Sequence, residues 1–330
     1  MPTNIASHES VLDSLQRYGD NPSGFLAVNS GNSYFTVVGL AGAIIYRTSG
    51  RYLVQFAGPF APAESYSLLL RHFIEFAQRE GKKIVAIELL RKDAEVYAAS
   101  GFTVNQVGAS YSVDLRRFNL RGTAFMQLRN KISRAARNGL TVAEVDSTEW
   151  AEAINNVDHI WLGGKGENVK ELEFLVGEHG GPMQKYRRIF AGSIDREMIG
   201  YISYSPAYGS RPGWMHDLSR RMPGESPGIM EAINVAAIEK FRSESAAWLH
   251  FGFTPFTSLS PEHELPGASK AYAYFMNWLW ENGDFIYPAK SQLAYKNKWA
   301  PHEVQPEYIA FHGSAHAAGF IHVFKASNAF

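Results

Sequence analysis

Trp214-Met215-His216-Asp217-Leu218-Ser219-Arg220-Arg221 reads as a strand, and Met222-Pro223-Gly224-Glu225-Ser226-Pro227-Gly228 follows it as a Gly/Pro loop. From about Ile229 to Arg242 the residues Ile229, Ile233, Ala236, Ala237 and Phe241 recur at the spacing of a buried helical face. Pro227 stands just before that helix, a common start signal. Ala247-Trp248-Leu249-His250-Phe251-Gly252 reads as the next strand. A strand, a glycine loop at a helix N-terminus and a second strand make a βαβ-like unit. Unpaired backbone N–H groups and the helix dipole favour an anion or oxyanion at such a loop. The plain alternative is an ordinary α/β connection.

At 330 residues the chain has room for two domains. Its apolar content and seven Trp predict a filled core rather than disorder. The absence of cysteine excludes disulfides, thiolate catalysis and Cys-ligated zinc, and it fits a cytoplasmic protein. Formal net charge is zero, so any basic surface is local. No apolar run is long enough to span a membrane, and the N-terminus, with Asn4, His8 and Glu9, is no secretory signal.

The first half starts with a short helix ahead of Asn21 (Val11, Leu12, Leu15). Strands are expected at Phe25–Val28, Tyr34–Val38, Gly42–Tyr46 and Tyr52–Phe56, with turns at Gly31-Asn32 and Ser49-Gly50. A helix follows from about Ala63 to Glu80, then a strand at Lys83–Glu88, a short helix at Asp93–Ser100 and a strand at Gly108–Leu115. This order resembles the GNAT acyltransferase fold, and Tyr97-Ala98-Ala99-Ser100-Gly101-Phe102 resembles that fold's tyrosine-to-Gly-Phe segment.

A basic bridge comes next. Arg116, Arg117, Arg121, Arg129, Lys131, Arg134 and Arg137 follow with no acid between Asp114 and Glu144. Thr123 is the expected N-cap, Ala124 to Asn138 the helix, and Asn138-Gly139 its stop. Asn130, Arg134 and Arg137 then share a face, suited to tracking phosphates. A solvated surface helix is the alternative.

The second half repeats the order. Thr141–Val145 is a strand, Ser147–Trp161 a helix, and Arg187–Ala191 with Met198–Tyr204 a hairpin about Asp195-Arg196. After the opening stretch come an aromatic-rich core helix at Ala271–Asn282 and the segments Gln292–Pro301 and Pro306–Ala310. Four segments together, Val113–Phe118, Leu128 through Gly139, Asp217–Arg220 with Gly228–Glu231, and Tyr295–Trp299 with Pro306–Tyr308, resemble the C-terminal catalytic domain of phosphatidylglycerol lysyltransferases, the multiple peptide resistance factors. The resemblance implies an α/β (α+β) fold of two GNAT-like lobes in tandem joined by a basic helix. The expected division is a first lobe at 1–121, the basic helix at 122–139 between the lobes, and a catalytic lobe at 140–330. It implies an aminoacyl-tRNA donor and no bound cofactor. The family's enzymes usually carry an N-terminal multi-span membrane flippase, which is not seen in this sequence, and Trp299 stands where Phe is common. The acceptor is therefore expected to be a small biosynthetic molecule or a lipid headgroup, with peripheral membrane contact in the second case.

An aminoacyl-tRNA is already an activated ester, so the enzyme needs only to hold the carbonyl, offer a neutral nucleophile and stabilise developing charge. Asp217 is expected to position the aminoacyl amine or the acceptor, and Arg220, at i+3, to hold the terminal-adenosine phosphate or the developing charge. A structural Asp–Arg pair is the alternative. Glu231 and Lys296 complete the catalytic candidates. Arg116, Arg117, Arg129, Lys131, Arg134, Arg137 and Lys298 are the tRNA-binding candidates, with Lys296 and Lys298 read as alternating along an extended segment or flanking a turn. The histidines show no metal-ligand spacing, and His216 is the one candidate base among them. Two rivals remain. A CoA-dependent GNAT N-acyltransferase is disfavoured by Pro59 and Pro62, which have no N–H for a pyrophosphate, and by Glu225 in the second loop. A non-catalytic RNA-binding protein would need the basic segment but not Asp217 or Arg220.

Overall fold

The computed structural model describes residues 7–164, 170–224 and 227–329. The first helix, α1 (His8–Tyr18), is capped by Ser7, which accepts from the Ser10 N–H, and it buries Val11, Leu12 and Leu15. Phe25–Val28 is not the expected strand. Gly24–Val28 is a fully buried 3-10 turn, tied by Gly24 N–H to Asn21 O and Leu26 N–H to Ser23 O. Periodicity cannot separate so short an apolar run from a strand. A short edge strand, β1 (Ser33–Phe35), precedes the hairpin of β2 (Ala43–Ser49) and β3 (Tyr52–Phe60), which turns at Gly50. The helix α2 (Ala63–Arg79) crosses over, and β4 (Lys83–Leu89) returns parallel to β3. Then come α3 (Arg91–Ala99) and the long β5 (Phe102–Asp114).

The bridge forms α4 (Met126–Arg137). Thr123 does not cap it. Residues Thr123–Phe125 make a 3-10 turn, and no side chain caps α4. The helix lies on α6 of the second lobe, burying Leu128 and Ala135. After it come β6 (Thr141–Val145), α5 (Ala151–Gly163), β7 (Arg188–Ile194), β8 (Glu197–Ala207) and β9 (Gly213–Arg221). The β7–β8 turn sits at Asp195-Arg196, both at positive φ. The helix α6 (Ile229–Ser243) crosses, and β10 (Trp248–Pro255) returns parallel to β9. Thus each half has a hairpin, a crossover helix and a parallel strand, the GNAT-like unit expected. The chain ends with α7 (Lys270–Asn282), α8 (Ala289–Asn297), β11 (Glu303–His312) and α9 (Ala317–Ala326).

The eleven strands among the described residues form one sheet in the order β1-β2-β3-β4-β11-β5-β10-β9-β8-β7-β6. The two halves exchange strands at its centre. β5 leaves the first lobe to pair antiparallel with β10, while β11 leaves the second to pair antiparallel with β4. β5 and β11 pair with each other. The expected division at residues 121 and 140 falls between β5 and β6, and the sheet runs across it. In the first half α2 and α3 cover one face, and α1, α7 and α9 pack on the other. In the second, α6 and α8 cover one face and α5 the other. Trp299 is fully buried there and stacks on Phe251 at 5.9 Å.

Gly228 joins α4 to α6. Its φ is +105°, and a Cβ there would strike the Lys131 carbonyl. Gly228→Ala is expected to cost about 1–3 kcal/mol, read as a lower urea midpoint at unchanged slope. An unchanged midpoint would mean that α4 does not hold that loop.

Candidate active site at the strand exchange

The parallel pairs of both lobes open at corresponding places. β3 and β4 pair as far as Phe56 and Ile87, and the next residues, Ala57 and Glu88, both take positive φ. β9 and β10 pair only over Gly213–Met215 and Trp248–His250. Just beyond, β10 shifts register against β5 between His250 and Phe253, with Gly252 at φ +67°. β11 shifts register against β5 between Glu307 and Tyr308. These irregularities bring Glu88 from β4, Glu307 from β11 and Lys296 from α8 together inside the sheet junction, and all three are buried. Bulges re-aim side chains in this way beside many active sites.

Lys296 donates to the carbonyls of Gly252 (2.7 Å) and Phe253 (3.0 Å) and lies 5.5 Å from the Tyr111 ring. Burial pulls its amine down to about 7, although Glu307 and Glu88 oppose the shift. Burial likewise pushes Glu307 up to about 7 against Ser110, which donates to it, and Lys296. Glu88 is held well above the usual carboxylate range by burial and by Glu307. Among the described residues, Glu88 Oε2 and Glu307 Oε2 have no hydrogen-bond partner. The group can therefore hold and move a proton near neutral pH. His216, near Lys296, is pushed down to about 3 mainly by desolvation, so its imidazole stays neutral between the Tyr204 and Phe251 rings.

The expected Asp217–Arg220 couple is divided between two ion pairs. A regular strand puts i and i+3 on opposite faces. A register shift of β9 against β8, between Leu218↔Ser203 and His216↔Tyr204, breaks that alternation at Asp217. The Asp217 side chain is fully buried, with Arg187 Nε 3.4 Å from its Oδ2. Burial raises its pKa while Arg187 opposes. Arg187 also donates to Asn29 Oδ1 at 2.7 Å. Arg220 pairs with Asp158 at 3.0 Å and with Glu171, and it lies over the Trp161 ring. His179 is flanked by the charges of both pairs.

The other candidates are scattered. Glu231, in the first turn of α6, pairs with Lys298 at 3.0 Å. Lys296 and Lys298 do not alternate on an extended segment. Lys296 lies in the last turn of α8 and Lys298 caps it, so one points inward and the other stays a third exposed. Arg116 is exposed and forks onto Asp114 at 2.9 Å. Arg129 is spent on the carbonyls of Leu120 and Gly122. Arg117, Arg134 and Arg137 are exposed and Lys131 is half-buried; none makes an ion pair among the described residues. Glu225 lies outside the described residues. Sequence reasoning missed Glu88, Glu307 and Arg187. The signal for the first was a carboxylate ending an otherwise apolar strand.

The family described as "Phosphatidylglycerol lysyltransferase, C-terminal" matches residues 12–311. The phosphatidylglycerol lysyltransferase of Bacillus subtilis (strain 168) is 24% identical over 283 residues, which cover 84% of this chain and 32% of that protein. The chain thus spans about a third of that relative's length. The crystal structure of the C-terminal domain of a putative lysylphosphatidylglycerol synthetase from Agrobacterium fabrum matches with a TM-score of 0.79 at 21% identity, over 98% of each chain. The structure of L-PGS from Bacillus licheniformis matches with 0.80 at 20% identity, over 99% of this chain and 97% of that one. By its sequence, the chain belongs to the family of phosphatidylglycerol lysyltransferase C-terminal domains.

Proposed function

We propose that this chain moves an aminoacyl group from the ester of an aminoacyl-tRNA to a hydroxyl or amine acceptor, a lipid headgroup or a small biosynthetic molecule. The observation that carries the reading is the buried Lys296–Glu307–Glu88 group where the strands open, in a chain that belongs to this family. The acceptor oxygen or nitrogen attacks the ester carbonyl, its proton passes to the neutral Lys296 amine or a carboxylate, and the ribose oxygen leaves with a proton. A new C–O or C–N bond replaces the ester C–O bond, and no redox partner is needed. Lys296 near neutrality serves as base and then acid in this sequence. Asp217 and Arg220 act as positioning residues through their buried pairs.

Two features favour an aminoacyl-tRNA over CoA. Pro62, the N-cap of α2, has no N–H to give a pyrophosphate. The cavity of about 320 Å³ beside it is lined by Asp20, Asp93 and Lys92, and its one cation is already paired with Asp20 at 2.8 Å, which leaves little to hold a pyrophosphate. A purely RNA-binding role gives no use to a buried amine with a lowered pKa. The test supplies aminoacyl-tRNAs labelled one amino acid at a time, with phosphatidylglycerol vesicles or a small-molecule extract. Label leaving the tRNA for an extractable product supports the reading, and label that leaves only as free amino acid, or not at all, refutes it.

The exposed face of α4 is the proposed tRNA contact. Replacing Lys131, Arg134 and Arg137 together by Ala is expected to weaken tRNA binding and to lower the salt slope of log Kd by roughly 2–3. Arg129 is left intact because it holds the chain before α4. An unchanged slope would make α4 a solvated face.

A further inference from the structure

We infer that the cavity of the first lobe, walled by β3 and by α2 and α3, is a binding site for a small organic compound carrying a primary ammonium group. It measures about 320 Å³ and lies where β3 and β4 part. Three rings, those of Tyr18, Phe60 and Tyr66, share its wall with Asp20, Lys92 and Asp93. Aromatic rings and a carboxylate are the partners that stabilise an ammonium once it leaves water. None of these residues belongs to the Lys296–Glu307–Glu88 group, so the site is separate from the proposed transfer.

The two carboxylates of the wall differ. Asp20 is matched by Lys92, whose Nζ lies 2.8 Å away on a mostly exposed side chain. Asp93 is buried, at 7% exposure, and is in no ion pair among the described residues. It accepts from the Tyr66 hydroxyl at 2.7 Å and from the Leu90 N–H at 3.1 Å. A carboxylate has about four acceptor positions, so two of them stay open. Gly58 keeps the approach clear, because a Cβ there would strike the Tyr66 hydroxyl and Asp93 Oδ1. Burial raises the Asp93 pKa even though Tyr66 and Lys92 oppose the rise. A positively charged N–H donor is the partner this carboxylate lacks.

The surroundings have the matching sign. The positive end of α2 reaches the cavity at Ala63, and Glu64 in that first turn opposes it. Behind the wall, Asn21 donates to the Glu88 carbonyl at 2.8 Å, and the Asp93 charge is felt at Glu307. The carboxylates on that side, Glu88 and Glu307, outnumber the one amine of Lys296. Among the described residues no three His, Asp or Glu side chains come together to hold a metal ion, so the wall suits an organic cation better than a metal.

The test uses the full chain without tRNA and titrates it with propylammonium, with propanol as the neutral counterpart and propionate as the anionic one, followed by ligand-observed NMR. Propylammonium is expected to bind at least about tenfold more tightly than propanol, the difference made by one hydrogen bond to a charged group. Propionate should not bind. Asp93→Asn keeps the shape and still accepts from Tyr66 and Leu90, and it should weaken propylammonium binding by about tenfold or more. Ser67→Trp places a ring in the cavity from an exposed position of α2 and leaves Asp93 intact. It should keep its Tm and lose the binding, and it decides the matter if Asp93→Asn does not fold. No wild-type binding up to about 10 mM, well above a 1 mM Kd, overturns the inference. So do propanol binding as tight as propylammonium and unchanged binding in Ser67→Trp. Displacement of propylammonium by an equal concentration of magnesium also overturns it, because the occupant is then a metal ion. A wild type that binds propylammonium but never discharges tRNA refutes the proposed transfer and leaves this inference standing.

Discussion

Lys296→Met is expected to lower aminoacyl transfer about a hundredfold or more, in line with removing one positioned proton-transfer group. Methionine keeps the length and apolar bulk of the side chain, so the cavity left is small. It deletes the charge-bearing amine that holds the carbonyls of Gly252 and Phe253. Wild-type transfer should rise with pH through about 7, as the amine becomes neutral, and that inflection should vanish in the variant. A second readout is stability. The native amine titrates near 7 and the unfolded one near 10.5, so between those values the unfolded chain binds more protons. Stability gained from this group therefore rises with pH across that window and is lost as pH falls through it. Lys296→Met removes this contribution and flattens the slope of stability against pH. If the variant transfers at near wild-type rates with the same pH profile, Lys296 only braces the β10 bulge and the chemistry lies elsewhere. Glu307→Gln separates the partners. It removes the carboxyl that burial pushes up to about 7, and with it the attraction that keeps the Lys296 amine charged, so the inflection should move to lower pH.

What the sequence could reveal divides along physical lines. The Pro227-Gly228 start of α6, the Asp195-Arg196 hairpin and the two crossover units carry local signals, and they appear where those signals predict. The exchange of β5 and β11 does not. β11 pairs with β4 across more than two hundred residues, and no local pattern states which lobe a strand joins. The site depends on that exchange, because Glu88 and Glu307 meet only once β11 lies beside β4. α8 was hidden for another reason. It buries Ala289 and Lys296 and has no apolar period, so its lysines read as extended chain. The Asp217–Arg220 spacing was legible, but the β9 irregularity and the distant partner Arg187 decide what those charges do.

Arg187→Met should destabilise the protein by about 3–5 kcal/mol at neutral pH, the usual cost of leaving one buried charge without its partner. Arg187 is buried against Asn29 and the Phe25 ring, and it stands 3.4 Å from Asp217 and 3.8 Å from Glu178. Without it, the Asp217 carboxylate has lost the cation that opposes the rise in its pKa. Its folded pKa then climbs further above the unfolded value. Stability from a raised carboxyl is present below its unfolded pKa and lost as pH rises through the folded one. The deficit of the variant should therefore shrink as pH falls toward 4, as followed by urea unfolding at several pH values. Adding Asp217→Asn should restore much of the loss, because neither charge is then stranded, and the double-mutant cycle should give a coupling energy of more than about 1 kcal/mol. Asp217→Asn alone separates positioning from direct contact. If Asp217 works through Arg187, the substitution changes stability and leaves KM for aminoacyl-tRNA and the pH profile of kcat in place. If it meets the aminoacyl amine itself, transfer falls about a hundredfold in a protein that unfolds near the wild-type midpoint. A deficit in Arg187→Met below about 1 kcal/mol, equal at pH 5 and pH 8, would mean that the buried pair carries no net charge coupling. Asp217 would then be open to the substrate rather than held in the wall of the site.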